Sequence, residues 1–411
     1  MKNISVVITA LFLFLSQGCE EKPIIYKDLN PPFVSDSLII NSIYGFSYQI
    51  PPLMGDYKKL YLGNYQDYQN PFILFAVSRI TSSNVAMESL LDSNIIIDNV
   101  SFRISSADSE IVSSSEYSLF YFPNSSDSLF HEYETNYLDG LDITVNNEKI
   151  FLSDTMLVEQ IDTTYNSDST TTITQDRFLE FDIPMSVFEI FADTSSSTTQ
   201  NRSFMLSGPD DYNGLTTFYS RQSLTNIPVF KVNYTVSDTD TSISRSVSFP
   251  LSRDVTYLIP PDLSNDDTLF ASVGRAKGLH SILQINYDFS LLGEQIVVKE
   301  AKLNMFAIDT VNENYKILFY ALEDSVTSVE SRPTEDPYEN LYSAYYQQSS
   351  MKNGMITFDM KLVFQDIVMG NIKNYGFKLL GNSENPFDIL HLGLPGDTGF
   401  EPYVEVHYVS D

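Results

Sequence analysis

Four histidines, 54 acids and 26 tyrosines are the side chains with which this 411-residue chain could do chemistry. His131, His280, His391 and His407 do not stand at metal-ligand spacing, and no His-Glu-x-x-His occurs. No Gly-x-Ser-x-Gly elbow presents a nucleophile, and no glycine-rich loop could cradle a phosphate. These histidines read as surface or edge residues, with His407 on the polar face of the last alternating run. Carboxylate pairs mean little in so acidic a chain. Asp182 and Asp359 are better defined, because each follows a Phe and precedes a short helical pattern. A carboxylate there is expected to cap or brace the helix start by accepting its orphan N–H groups. Two acidic turns, Pro209-Asp210-Asp211-Tyr212-Asn213-Gly214 and Asn265-Asp266-Asp267, carry the hard oxygens that calcium takes, without EF-hand spacing. Solvated turns are the favoured reading, so no cofactor is expected, and any calcium there would be structural.

Tyrosine faces flanked by amides could stack on sugar rings. Tyr338, Tyr342, Tyr345 and Tyr346 cluster before Gln347 and Gln348 in what reads as a loop, and form the preferred candidate glycan contact. Tyr57, Tyr61, Tyr65 and Tyr68 form a second cluster. The competing reading is strand packing with the hydroxyls reaching water. The chain has no Trp, the best stacking platform.

The elements that must position these residues are short and alternating. In Val229-Phe-Lys-Val-Asn-Tyr234, Phe230, Val232 and Tyr234 face one way and Val229, Lys231 and Asn233 the other. Helical periodicity is confined to Val187, Phe188 and Phe191, and to Leu362, Val363 and Ile367. Long-range self-similarity is the strongest organising signal. Phe178-Leu-Glu-Phe-Asp182 reads like Met355-Ile-Thr-Phe-Asp359, and Pro228…Tyr234 like Pro402…Tyr408. Tyr48-Gln-Ile-Pro-Pro52 matches Tyr257-Leu-Ile-Pro-Pro261; keeping that offset places Ile73-Leu74 on Ile282-Leu283. Two tandem antiparallel β-sandwiches of jelly-roll type are therefore expected, each with one short helix. The first spans 41–236, with a polar insertion at about 130–176, and the second spans 247–411. A short linker covers 237–246. Asp182/Asp359, Pro228/Pro402 and Tyr234/Tyr408 are the shared structural positions.

Residues 1–18 carry Lys2, then an apolar run from Val6 to Leu15 that is too short to span a bilayer. Leu15-Ser-Gln-Gly-Cys19 resembles a bacterial lipoprotein signal, with Ser16 where the pattern prefers Leu. The resemblance implies that Cys19, the only cysteine, is lipidated and that residues 19–40 form a tether. It also implies an outer-membrane location; Glu20-Glu21 resemble surface-export signals. A formal charge of −30 excludes nucleic acid and anionic membrane surfaces as partners, leaving membrane attachment to the lipid alone.

Phe-Asp, a short helix, Asn-x-Gly-Phe-x-Leu and a closing Pro-x-Val-x-Val-x-Tyr resemble the DNRLRE domain family of jelly-roll modules, which are related to carbohydrate-binding modules. The residues are Phe358, Asp359, Asn374, Gly376, Phe377, Leu379, Pro402, Val404, Val406 and Tyr408. In the first copy Arg202-Ser203 stands where Asn-x-Gly would be. The resemblance implies a non-catalytic, lipid-anchored envelope protein that binds glycan or adheres. The alternatives are a structural subunit that packs against an envelope protein and, least favoured, a polysaccharide-active enzyme.

Overall fold

The computed structural model describes residues 34–108, 116–123, 129–165, 171–193, 202–209, 214–238, 241–292, 296–309, 314–326 and 331–410. Cys19 with its leader, and Asp210 and Asp211, lie outside these residues. Alternation does what the sequence suggests: Phe230, Val232, Val404 and Val406 are buried, and their neighbours Lys231 and Glu405 are not. The described fold is all-β, with antiparallel strand pairing throughout and only short helices.

One sheet has nine strands. Their order is β8 (Ile150–Thr155), β7 (Tyr117–Tyr121), β11 (Ser203–Ser207), β5 (Phe72–Val77), β14 (Thr241–Thr256), β13 (Val229–Asp238), β6 (Ile95–Ser105), β10 (Thr171–Asp182) and β9 (Val158–Tyr165). β14 serves twice. Its first ten residues pair with β13, the rest with β5, and a register shift between Leu251 and Arg253 marks the change. Phe75 and Phe204 from one part of this sheet meet Phe102, Phe181 and Phe230 from the other in one core. The sheet thus faces itself across a sandwich.

A second core lies between two further sheets. The four-stranded one runs β1 (Val34–Ile40), β23 (Tyr403–Ser410), β17 (Val297–Phe306) and β20 (Met355–Asp359). The five-stranded one runs β19 (Leu341–Ser350), β18 (Lys316–Leu322), β21 (Phe377–Asn382), β16 (Leu279–Ile285) and β2 (Ile43–Gln49). Leu303, Phe358 and Val404 of the first pack with Leu283, Phe319 and Phe377 of the second. Small sheets are formed by β12 (Leu215–Tyr219), β3 (Lys59–Tyr65) and β4 (Tyr68–Asn70), and by β15 (Ala271–Val273) with β22 (Leu390–Leu392).

Four α-helices are described: α1 (Tyr137–Asn146), α2 (Met185–Ala192), α3 (Asn265–Leu269) and α4 (Lys361–Val368). α2 buries Val187, Phe188 and Phe191, the expected set. α4 buries Val363 and Phe364, whereas Leu362 is 67% exposed. The apolar face of α4 is thus centred on a residue that periodicity passed over.

Strand pairing corrects the boundaries read from sequence. Residues 34–40, assigned to a tether over 19–40, form β1 beside the last strand, with Val34 opposite Ser410. Residues 43–49, assigned to the first unit, form β2 beside β16 in the second. Of the expected linker 237–246, residues 237–238 end β13 and residues 241–246 begin β14, which pair with Asp238 opposite Thr241. β14 joins the first sandwich, not the second. Backbone hydrogen bonds carry no side-chain code, so alternation identifies a strand without naming its neighbour. The insertion at 130–176 is less polar than expected. It holds α1 and β8, and Phe130 and Ile143 are buried beside Phe122 and Tyr257.

Candidate functional site

The chain carries one adjacent pair of basic residues, Lys58-Lys59, at the start of β3. β3 packs where the two sandwiches meet, and the pair is brought to the mouth of a cavity of about 620 Å³. That volume suits a small ligand or a few sugar units. Lys316, which opens β18, and Arg275, beyond β15, line it too, with Asn382 at the end of β21 and Ser383 after it. Four cations therefore converge from three distant stretches of a strongly acidic chain.

Their roles differ. Arg275 pairs with Asp56, and its guanidinium carbon lies 4.8 Å from the centre of the Tyr57 ring. Lys58, Lys59 and Lys316 are exposed and have no carboxylate within ion-pair distance among the described residues. Glu384 is the acid on the rim that Arg275 does not neutralise. Burial pushes the Tyr57 hydroxyl up, against the opposing charge of Arg275, so it stays protonated. That hydroxyl has no hydrogen-bond partner among the described residues. The cavity thus offers three ammonium groups and the Asn382 side chain, while the Tyr57 hydroxyl is buried in its wall and the Ser383 hydroxyl donates to Asp388 at 2.9 Å. These are donors suited to an anionic, polyhydroxylated ligand. Behind it, Tyr61, Tyr65 and Tyr68 surround Phe387, with ring centres 5.1, 4.8 and 5.1 Å away. The second tyrosine cluster is therefore mostly a seam between the sandwiches, with Tyr57 and Tyr61 also lining the cation site.

The first cluster is dispersed. Tyr338 is 6% exposed and packs against Tyr48, so it offers no face to a ligand. From Leu341 onward the expected loop is the edge strand β19. Tyr345 and Tyr346 lie where the register between β18 and β19 shifts, and their rings have different partners. Tyr342 packs edge-on to Tyr345 at 5.8 Å, and the Tyr345 hydroxyl donates to Asp366 at 2.6 Å. Tyr346 leans on Tyr320. Tyr345 and Tyr346 still border a smaller cavity of about 260 Å³ with Gln347 and Leu362.

Asp359 braces α4: its carboxylate accepts the Lys361 N–H at 3.0 Å, and its backbone bonds reciprocally with the Gln347 side chain. Asp182 does not cap. Pro184 intervenes before α2, and among the described residues the Asp182 carboxylate meets only Asn99, at 3.4 Å. Asp267, a calcium candidate, is buried as the capping-box partner of Ser264 and the ion partner of Lys277. With a cation already on its carboxylate, it is not a vacant ligand. Asp266 lies in the first turn of α3. No group of three metal-ligating side chains occurs among the described residues.

Two buried polar clusters were not legible in the sequence. Asp336 accepts from Tyr48 at 2.9 Å, pairs with Lys378 and lies 3.3 Å from His280. His280 is thus neither a surface nor a free edge histidine. Glu132 and Asp254 share Arg221: its side chain donates to Glu132 at 2.8 Å and its backbone N–H to Asp254 at 2.6 Å. The Asp254 N–H also donates to Glu132 at 3.3 Å. These two carboxylates are in contact inside the protein, not opposed across a cleft as glycoside hydrolysis requires. His391 is tied to Ser272 at 2.7 Å, and His407 lies beside Glu405 on the surface of β23.

The fold is that of an all-β protein with a basic, tyrosine-backed cavity at the junction of two sandwiches. A scan against protein-family models, a search of curated proteins and a search of solved structures each returned no match.

Proposed function

We propose that this is a non-catalytic, lipid-anchored envelope protein that binds acidic polysaccharide in the cavity formed by Lys58, Lys59, Arg275 and Lys316. The observation that carries the reading is the convergence of Lys58, Lys59 and Lys316, exposed and without an ion-pair partner among the described residues, in a chain of net charge −30. A surface so acidic repels a polyanion everywhere except where cations are gathered. Anchoring through Cys19 at the outer membrane rests on the lipoprotein-like leader, and the link to carbohydrate-binding modules rests on the DNRLRE-like motifs. The mature soluble chain should bind uronic-acid oligosaccharides in calorimetric titration and ignore neutral oligosaccharides of equal length. Lys58→Ala with Lys59→Ala, both on the surface, should weaken binding at least tenfold without lowering the melting temperature. Equal binding of neutral sugars, or an unchanged affinity in the variant, would refute the assignment.

A second reading, a protein-interaction subunit, is favoured by α1. Leu138, Leu141 and Val145 recur at helical spacing and are exposed, Val145 by 80%, with exposed Phe151 nearby in sequence on β8. Leu141→Glu with Val145→Glu should abolish recovery of a stoichiometric envelope partner if that face is the contact. Unchanged recovery removes this reading.

A further inference from the structure

β14 and the pair β1–β2 occupy the same place in different sandwiches. Along β14, Phe249 stands opposite Phe230 on β13; then Asp254 and Val255 stand opposite Phe75 and Leu74 on β5. Along β1 and β2, Ile40 stands opposite Val404 on β23; then Gly45 and Phe46 stand opposite Leu283 and Ile282 on β16. One offset of 209 residues (249 − 40, 254 − 45, 255 − 46) carries each residue to its counterpart and also carries Tyr48 and Pro51-Pro52 to Tyr257 and Pro260-Pro261. The receiving strands agree as well. Phe102 lies between Phe230 and Phe181, as Leu303 lies between Val404 and Phe358. Leu74 thus corresponds to Ile282, one residue away from the alignment read from sequence. Connectivity is what differs. β14 follows β13 directly in the chain, whereas β1 and β2 come from the far N-terminal end to close the C-terminal sandwich.

We infer that segment 34–49 is an exchangeable closing strand: the C-terminal sandwich binds it as an extended peptide, and at high concentration takes it from a second copy of this chain. This does not rest on what the cavity binds, although the connection that follows the segment carries Asp56, Tyr57 and Lys58 of the cavity wall. The segment's contacts identify a sequence, not a particular molecule. Ile40, Ile43 and Tyr48 are buried against the C-terminal half. The Ser47 hydroxyl donates to the Phe270 carbonyl at 2.9 Å and accepts the Ser272 N–H at 2.8 Å. The Gln49 amide reaches the Pro261 and Lys277 carbonyls, and the Tyr48 hydroxyl holds Asp336. All of these form identically whether the segment arrives from its own chain or from another. Only the connection 50–58 distinguishes the two cases. A connection that short sets a local concentration on the order of millimolar, so the closed monomer holds in dilute solution and exchange competes as protein concentration approaches that value. Because the donor lies at one end of the chain and the acceptor at the other, exchange propagates head to tail.

Ser37 and His407 face each other across β1 and β23 near the surface. In the full mature chain carrying Cys19→Ser, Ser37→Cys together with His407→Cys should be joined by a short thiol crosslinker within a monomer. A mixture of singly substituted Ser37→Cys and His407→Cys chains should yield covalent dimers after mild denaturation and refolding at high concentration. Dimers should fall several-fold on tenfold dilution before refolding, and should be suppressed by excess synthetic peptide spanning 34–49. A mixture that gives no dimer at any concentration, or dimers that the peptide leaves untouched, overturns the exchange. Crosslinking of Ser37→Cys to Asn233→Cys overturns the closure itself, since Asn233 pairs with Ser246, the counterpart of Ser37.

Discussion

Two carboxylates, Asp254 buried and Asp336 half-buried, have been pushed in opposite directions by their neighbours. Burial alone would raise Asp336, but the His280 hydrogen bond and the charges of His280 and Lys378 hold its carboxyl well below the usual range. Its contribution to stability is therefore present above the ordinary carboxylate pKa and lost as pH falls. Burial, with help from Lys378, also lowers His280 despite Asp336, so proton uptake by the unfolded chain below about 6.5 opposes folding in the same direction. Asp254 is the reverse case. Burial first, and then Glu132, raise its carboxyl well above the ordinary value despite the Arg221 N–H. The stability this confers is present at low pH and is lost as pH rises toward the folded-state pKa. Asp254→Asn keeps an acceptor for the Arg221 N–H and removes the charge, so its melting temperature should exceed that of the parent at pH 8, with the gap closing toward pH 4. Asp336→Asn should instead lower the melting temperature at pH 8 and flatten its decline with acid. Scanning calorimetry across that pH range checks both; gaps that do not vary with pH would show that neither carboxyl titrates as its surroundings require.

At the scale of elements, the short helices show what periodicity can and cannot locate. Val187, Phe188 and Phe191 lie on the buried face of α2 as their spacing indicates, since a helix face is a local property. α4 turns a different residue inward: Phe364 packs edge-on to Phe289 at 5.1 Å, and Leu362 points to solvent. Phe364→Ala should cost about 3–5 kcal/mol in denaturant unfolding, the range for truncating a buried aromatic, and Leu362→Ala well under 1 kcal/mol. Equal costs would misplace the helix. Asp359 and Asp182, alike in sequence, separate because Pro184 intervenes before α2, while the Lys361 N–H lies within reach of Asp359.

The two sandwiches are joined at Phe387, around which Tyr61, Tyr65 and Tyr68 gather beneath the cation cavity. Phe387→Ala removes the shared ring. It should lower the stability of the pair by roughly 2–3 kcal/mol and split a single calorimetric transition into two. A single, unshifted transition would mean that the seam does not couple them.

The sequence by itself determined that this chain is all-β, that Phe230, Val232, Val404 and Val406 point inward, and that short helices follow Phe181-Asp182 and Phe358-Asp359. Each of these follows from a pattern of two to four residues. Only the tertiary structure decided that Val34–Ile40 lies beside Tyr403–Ser410, that Tyr338 is buried, and that Lys58, Arg275 and Lys316 share one cavity. The Lys58-Lys59 doublet was visible, but its partners were not, because they lie more than 200 residues away. Side-chain periodicity is written along the chain. Strand pairing rests on backbone groups common to nearly every residue, so the choice among open edges is made by the assembled cores and not by any local stretch of sequence.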